Sequence, residues 1–208
     1  MKQNFYSTIL ATAVALAVVP AFSADKTYTQ QQYTEKIRAA EKANPQPENL
    51  AKALKKLLKD DLLANNQKND LKNRIFNAAV QAVDSQTKNN PEAAAKEWKK
   101  LLKDDDWDWN DNQKNQLLSR FFNASVRNVD SKTRGNPEAA LKEWEKLLKD
   151  YDWNDNQKND LKNRIFGSEV AIQDNKTKGK PTDAFEVWNK MLKNAVFTPF
   201  VRSFLNEN

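Results

Sequence analysis

Residues 136–140, Asn-Pro-Glu-Ala-Ala, repeat without change the five residues at 90–94. Related segments begin at Pro47 and Pro181, so four prolines follow one another at intervals of 44, 46 and 44 residues. Each of the three intervals contains the same landmarks at equivalent positions: a Lys-Leu-Leu-Lys segment, an Asn-Gln-Lys segment and an Arg followed by two apolar residues. Self-similarity at such a period is typical of stacked supersecondary units. The sequence therefore predicts a tandem repeat.

Each unit is predicted to contain two helices. In the second unit these run from Pro91 to Asp104 and from about Asp111 to Lys132, because apolar residues recur there at helical spacing. The two extra residues of this unit fall between Leu102 and Asn112, where a loop tolerates an insertion. The predicted buried stripes are Ala94, Trp98, Leu101 and Leu102 on the first helix and Leu118, Phe122, Ser125 and Val129 on the second.

Local signals mark where these helices begin and end. Asn90 and Asn136 are favourable N-caps before proline at the first helical position, and Asn110 and Asn154, each three residues before a Gln, resemble capping boxes. The column Asn89, Gly135 and Gly179 precedes each helix-starting proline by two residues and is predicted to adopt positive φ. Gly167, which replaces Asn77 and Asn123 inside a helix, suggests a close helix contact.

The predicted fold is all-α, an α-solenoid of stacked helical hairpins with about three full units and capping helices at both ends. Tyr33, Ile37 and Ala40 form the apolar face of the N-terminal cap, and Phe197, Phe200, Val201, Phe204 and Leu205 that of the C-terminal cap. The expected organisation is a signal peptide at 1–24, a cap at 25–46, repeats at 47–90, 91–136 and 137–180, and a partial repeat with a cap at 181–208.

The first 24 residues have the features of an export signal. Lys2 precedes an apolar run from Ile9 to Val19, and Ala21 and Ser23 suit cleavage. The run is shorter than the roughly 20 residues that span a bilayer. We therefore expect a periplasmic or secreted protein without membrane insertion after signal cleavage.

Composition excludes most catalytic chemistry. The chain has no Cys and no His, so disulfides, thiol nucleophiles, Cys/His zinc sites and imidazole bases are absent. Three glycines leave no glycine-rich phosphate loop. An enzyme is not expected, and no cofactor or metal is implied; a hydrolase that uses only carboxylates is the remaining catalytic alternative.

The stretch from Gly135 through Asn136-Pro137-Glu138-Ala139-Ala140 to Trp144 and Leu147-Leu148 resembles the start of a tetratricopeptide or Sel1-type repeat. The resemblance covers about residues 44 to 194, although these units are longer than the 34 residues of a tetratricopeptide. It implies an α-solenoid that binds a protein or peptide on one face.

Three tryptophans of the inter-helix loops are candidate contact residues for a partner. Trp109 and Trp153 share a column with Leu63, so packing over the hairpin end is the alternative for them. Trp107 lies in the insertion, has no counterpart and is the best candidate for an exposed aromatic. The column Trp98, Trp144 and Trp188, matched by Leu54, is instead predicted to be core.

Lysine occupies two columns in every unit: Lys56, Lys100, Lys146 and Lys190, and Lys59, Lys103, Lys149 and Lys193. Lys103 and Lys149 are candidate partner-binding residues, because such columns could bind an acidic partner. Favourable interaction with the helix dipole is the alternative. The net charge of only +6, with both signs evenly mixed, gives no basic groove for nucleic acid.

Acidic residues recur as well. Asp104, Asp106, Asp108 and Asn110 resemble a calcium loop, but the Gly and Glu that an EF-hand requires are missing, and turns favour the same residues. The arginine column, Arg74, Arg120 and Arg164, is predicted to pair with Asp84, Asp130 and Asp174 or with Asp60, Asp104 and Asp150 as a tie between helices.

The expected function is that of an exported helical-repeat scaffold that binds a protein or peptide partner in the cell envelope or outside the cell. A cationic binder of an anionic envelope polymer is the alternative from a different class.

Overall fold

A computed structural model describes residues 27–104 and 107–194. Within these ranges the chain is all-α and contains no strand, as predicted. The helices are α1 (Gln30–Ala43), α2 (Pro47–Leu57), α3 (Asn65–Gln86), α4 (Pro91–Lys103), α5 (Asp111–Lys132), α6 (Pro137–Asp150), α7 (Asp155–Thr177) and α8 (Pro181–Asn194).

The helices pack as successive hairpins. The most extensive contacts join α2 with α3, α4 with α5 and α6 with α7, and each pair then stacks on the next. One continuous apolar cluster runs through all three hairpins. The molecule is therefore a solenoid of helical hairpins, in which each unit buries its apolar face against its neighbours.

The predicted helix starts are confirmed. The side-chain oxygens of Asn90 and Asn136 accept hydrogen bonds from the backbone N–H groups of Ala93 and Ala139, both at 3.0 Å. At the start of α5, Asn110 and Gln113 exchange side-chain to backbone hydrogen bonds in a reciprocal capping box, and α7 begins in the same way. These bonds satisfy N–H groups that the first helical turn leaves without partners.

The predicted turn column is also confirmed. Asn89, Gly135 and Gly179 have φ values of 62°, 75° and 77°. Positive φ is favourable for Gly and tolerated by Asn, so the chain can leave one hairpin and enter the next through a short turn. For Gly167 the suggested close helix contact is wrong, because a Cβ atom placed there meets nothing within 4 Å.

Equivalent residues of successive units form the core. Leu71, Leu117 and Leu161 are completely inaccessible to solvent. Leu117, rather than the predicted Leu118, is therefore the deepest residue of α5, and Leu118 is half-buried. The column Leu54, Trp98 and Trp144 is buried as predicted, and the side chain of Trp188 lies outside the described residues.

The N-terminal helix α1 continues the stack. Tyr33 and Ile37 are buried, and Glu41 bonds Arg74 of α3 at 3.2 Å. The predicted N-terminal cap thus packs against the first unit through both apolar and charged contacts. The predicted signal peptide and C-terminal cap lie outside the described residues. Among the helices that are described, none has the length and apolar character needed to cross a membrane.

Candidate functional site

Arginines of the second helix of a unit connect that unit to the one before it. Arg120 of α5 bonds Asp84 of α3 at 3.0 Å, and Arg164 of α7 bonds Asp130 of α5 at 3.3 Å. The predicted pairing of this column with Asp84 and Asp130 is therefore confirmed for two units. In the first unit, Arg74 pairs with Asp70 and Glu41 instead.

Each of these two arginines also covers a core tryptophan. The guanidinium carbon of Arg120 lies 5.1 Å from the ring centre of Trp98, and that of Arg164 lies 5.0 Å from Trp144. A planar guanidinium can stack on a ring and still bond a carboxylate at its edge. The Arg therefore joins the polar surface to the core at the same place in consecutive units.

Two equivalent clefts open beside these arginines, where a turn between hairpins meets the next two helices. They have volumes of about 500 Å³ and 530 Å³. We call them cleft A, whose walls include Asp84, Lys88, Trp98, Arg120, Asn123 and Arg127, and cleft B, whose walls include Asp130, Arg134, Trp144, Arg164, Gly167 and Ala171. Each named residue of cleft B is the counterpart, one unit later, of a residue of cleft A.

Both clefts have exposed cations on their walls. In cleft B, Arg164 bonds both Asp130 and Asp160, whereas Arg134 is exposed and bonds no acidic side chain among the described residues. In cleft A, Lys88 and Arg127 are likewise exposed and bond no acidic side chain among the described residues. They lie beside the ion pair of Arg120 with Asp84. Such cations favour an anionic group in the cleft.

A third cleft, of about 440 Å³, lies between α1 and the start of α3. In it, Tyr33 donates a 2.6 Å hydrogen bond to Asp70, which also bonds Arg74 at 2.8 Å. Burial, together with the hydrogen bond to the carboxylate, raises the pKa of Tyr33 above its ordinary value. Burial opposes ionisation of Asp70, but the bonds from Tyr33 and Arg74 outweigh it and lower its pKa. Tyr33, Asp70 and Arg74 thus bond one another, so these three groups are less available to a ligand than the exposed cations of clefts A and B.

Two of the predicted contact tryptophans are buried. Trp109 is 5% exposed and packs edge-on against Phe76 of the preceding unit at 5.3 Å, and its indole N–H donates to the carbonyl of Leu101. Trp153 is 1% exposed, and its indole N–H donates in the same way to the carbonyl of Leu147. Both side chains pack over the hairpin end, which is the alternative that the column with Leu63 suggested.

Trp107 is half-buried rather than fully exposed. Its ring stacks on Trp109 at 5.1 Å, its N–H donates to Asp104, and Lys55 covers its ring at 4.4 Å. Contacts with Trp109, Asp104 and Lys55 therefore fix the position of Trp107. A partner could reach only part of its ring.

The predicted lysine sites are on the surface. Lys103 and Lys149 are exposed near the C-terminal ends of α4 and α6, and Lys56, Lys100, Lys146 and Lys190 are exposed as well. Lys193 has no described side chain. Lys56, Lys100, Lys103 and Lys149 lie in the last turns of their helices, where the helix dipole favours a cation.

The acidic loops do not form a calcium-like cluster in the part that the structure describes. Asp108 bonds Lys72 at 2.7 Å, Asp152 bonds Lys158 at 2.9 Å, and Asn110 and Asn154 cap helices. Across residues 27–104 and 107–194, no three acidic side chains lie close enough together to hold a metal ion.

In comparisons with known proteins, no family model, no curated protein and no solved structure matches this chain.

The residues that distinguish cleft A from cleft B were missed by the sequence analysis. Arg127, Arg134 and Ala171 were not singled out, and Gly167 was given a packing role. The departure of Gly167 from the repeat was the available signal. The meaning of this departure depends on the position of α7 in the wall of cleft B, which the repeat pattern alone does not show.

Proposed function

We propose that this protein is an exported helical-repeat scaffold that binds a protein or peptide partner in the cell envelope or outside the cell. The observation that carries the proposal is the occurrence of the same cleft in consecutive units, with counterpart residues on its walls. Clefts that recur at the period of a solenoid suit an extended ligand that runs along several units.

The chemistry of the clefts supports binding rather than catalysis. Their carboxylates, Asp84 and Asp130, are each bonded by an arginine, Arg120 and Arg164, and both pairs connect consecutive units. A hydrolase based on carboxylates would need one carboxyl group in an environment that raises its pKa. Such a hydrolase also uses a pair of carboxyl groups, whereas each cleft has one carboxylate on its described walls.

Site-specific crosslinking in cells that produce the full chain tests this proposal. A photo-crosslinking amino acid is placed at Arg127 in cleft A or, as the matched control, at Lys100, which is exposed on α4. We expect a discrete protein adduct from position 127 and none from position 100. Equal labelling at both positions, or no adduct at position 127, would contradict the proposal.

A second candidate is binding of an anionic envelope polymer by the lysine columns. The exposure of Lys56, Lys100, Lys146 and Lys190 on the first helices of their units favours it. Retention of the protein on lipopolysaccharide or cell-wall polymer distinguishes the two functions. If the polymer binds these lysines, replacing them with Gln will abolish retention and salt will weaken it, because exposed charges are screened.

A further inference from the structure

We propose that cleft B is a side-chain pocket that selects the partner: it receives a bulky apolar side chain of an extended acidic peptide, whose carboxylate binds at cleft A. This inference rests on the proposed function and names the ligand class of the same site. It is argued from the positions at which the two clefts differ.

The first difference is Gly167, where cleft A has Asn123. Gly inside a helix destabilises it relative to Ala, so a helical Gly calls for a reason. Packing does not supply one, because the space where its Cβ atom would lie is free of other atoms within 4 Å. A positive φ does not explain this Gly either, because Gly167 lies in the middle of α7 and is not among the glycines with positive φ.

The second difference is Ala171, where cleft A has Arg127. Ala171 follows Gly167 by four residues, so the two positions lie one above the other on the same face of α7. Both changes shorten the side chain on the same wall. The same cleft exposes part of the apolar residues Pro137 and Ala140, beside polar residues that include Arg134. The two shortened side chains therefore leave space beside these apolar residues, and a bulky apolar side chain of a ligand could pack there.

The charges define the rest of the ligand. Lys88 and Arg127 in cleft A and Arg134 at cleft B are exposed, and none of them bonds a carboxylate of the described chain. Carboxylates are the complementary groups, and Arg127 can bond one of them at two points. Cleft A, whose wall carries Asn123 and Arg127, is therefore the carboxylate position, and cleft B is the apolar position.

The repeat sets the spacing between the two side chains. Packed helices lie about 8–10 Å apart, and an extended chain advances about 3.3–3.6 Å per residue. A peptide that crosses both clefts therefore places the side chains bound in them about two to three residues apart. The expected ligand is a segment with Asp or Glu and, about two or three positions away, a large apolar residue.

Exchange of the two walls tests the inference. The purified mature chain is used to select from a phage-displayed library of linear peptides. The best peptide is then measured against two matched variants: Gly167→Asn with Ala171→Arg, which gives cleft B the residues of cleft A, and Asn123→Gly with Arg127→Ala, which does the reverse. We expect peptides with the acidic and apolar spacing described above. Affinity should fall about tenfold or more in the first variant, and the second should lose the acidic preference.

Each outcome has a separate meaning. If the wild-type chain enriches no peptide, this inference fails, and the crosslinking at position 127 decides separately whether the proposed function fails with it. If it enriches peptides that bind the first variant equally well, or that carry no acidic residue, peptide binding stands and the inference is overturned. Thermal unfolding of both variants, together with the single variants Gly167→Asn and Ala171→Arg, shows that a lost affinity does not come from a lost fold.

Discussion

Arg120 lies between two partners from different helices, bonding Asp84 of the preceding unit at 3.0 Å while it covers the ring of Trp98 at 5.1 Å. The pair with Asp84 connects α5 to α3, and the contact with Trp98 connects α5 to α4. One side chain therefore stabilises both the hairpin and its stacking on the hairpin before it. In a solenoid, such interface contacts determine whether the units unfold together.

We expect Arg120→Ala to lower the free energy of unfolding by about 1 kcal/mol, since an exposed ion pair and a surface cation–π contact each contribute a fraction of that. The two side chains of the pair are 41% and 55% exposed, so the contribution should fall in high salt. Arg120→Lys should restore little of the loss. A double-mutant cycle with Asp84→Asn in urea unfolding measures the coupling, and a coupling of zero would show that the pair does not connect the units.

Trp153→Ala should destabilise the protein far more than Trp107→Ala. Trp153 is almost completely buried and packs against Phe121 and Phe122 of the preceding unit at 5.1 and 5.2 Å. Truncation of such a residue costs about 3–5 kcal/mol. Trp107 is half-buried, so its removal should cost about 1 kcal/mol or less. Chemical unfolding of the two variants is the measurement, and similar losses would argue against this difference in packing.

Two glycines should respond to alanine in opposite directions. Gly167→Ala should stabilise the protein by up to about 1 kcal/mol, because the helix gains propensity and the new Cβ atom has space. Gly135→Ala should destabilise it by about 1 kcal/mol, because Gly135 has φ of 75°. Thermal unfolding compares them. A loss of stability in Gly167→Ala would mean that the Gly has a structural role after all.

Tyr33 should make the stability depend on alkaline pH. The pKa of Tyr33 is raised in the folded state, so above its ordinary value of 10.0 the unfolded chain loses this proton before the folded chain does. Its contribution is therefore complete below pH 10.0 and is lost as the pH rises further. We expect Tyr33→Phe to be less stable at neutral pH and to show a shallower alkaline loss. An unchanged slope in urea unfolding between pH 9 and 11 would contradict this.

Glu169 should destabilise the fold at neutral pH. It stands where the first two units have the buried residues Ala79 and Ser125, and burial, with the negative charge of Glu145, raises its pKa. A raised carboxyl pKa means that stability is complete below the ordinary value of 4.5 and decreases as the pH rises through the folded value. Glu169→Gln should therefore raise the melting temperature at pH 7 and change it little at pH 4.

Some of these features could be predicted from the sequence and others could not. The caps at Asn90 and Asn136 and the turn at Gly135 were predictable, because a few neighbouring residues form each of them. The burial of Trp109 and Trp153 could not be decided from the sequence, since Trp suits both a core and a contact surface. Their partners, such as Phe76, belong to the preceding unit, and only the stacking of units brings them together.

The amino-acid sequence by itself determined the helices, their ends and the number of hairpins, because hydrogen bonds within one or two turns and apolar residues at helical spacing control these features. The tertiary structure decided where the clefts open and which charges remain free in them. Cleft B requires residues of α5, α6 and α7 to meet, and within it Arg164, rather than Arg134, bonds Asp130. Contacts between units determine the position and the charge of the clefts, and these contacts join residues that are more than 30 positions apart in the sequence.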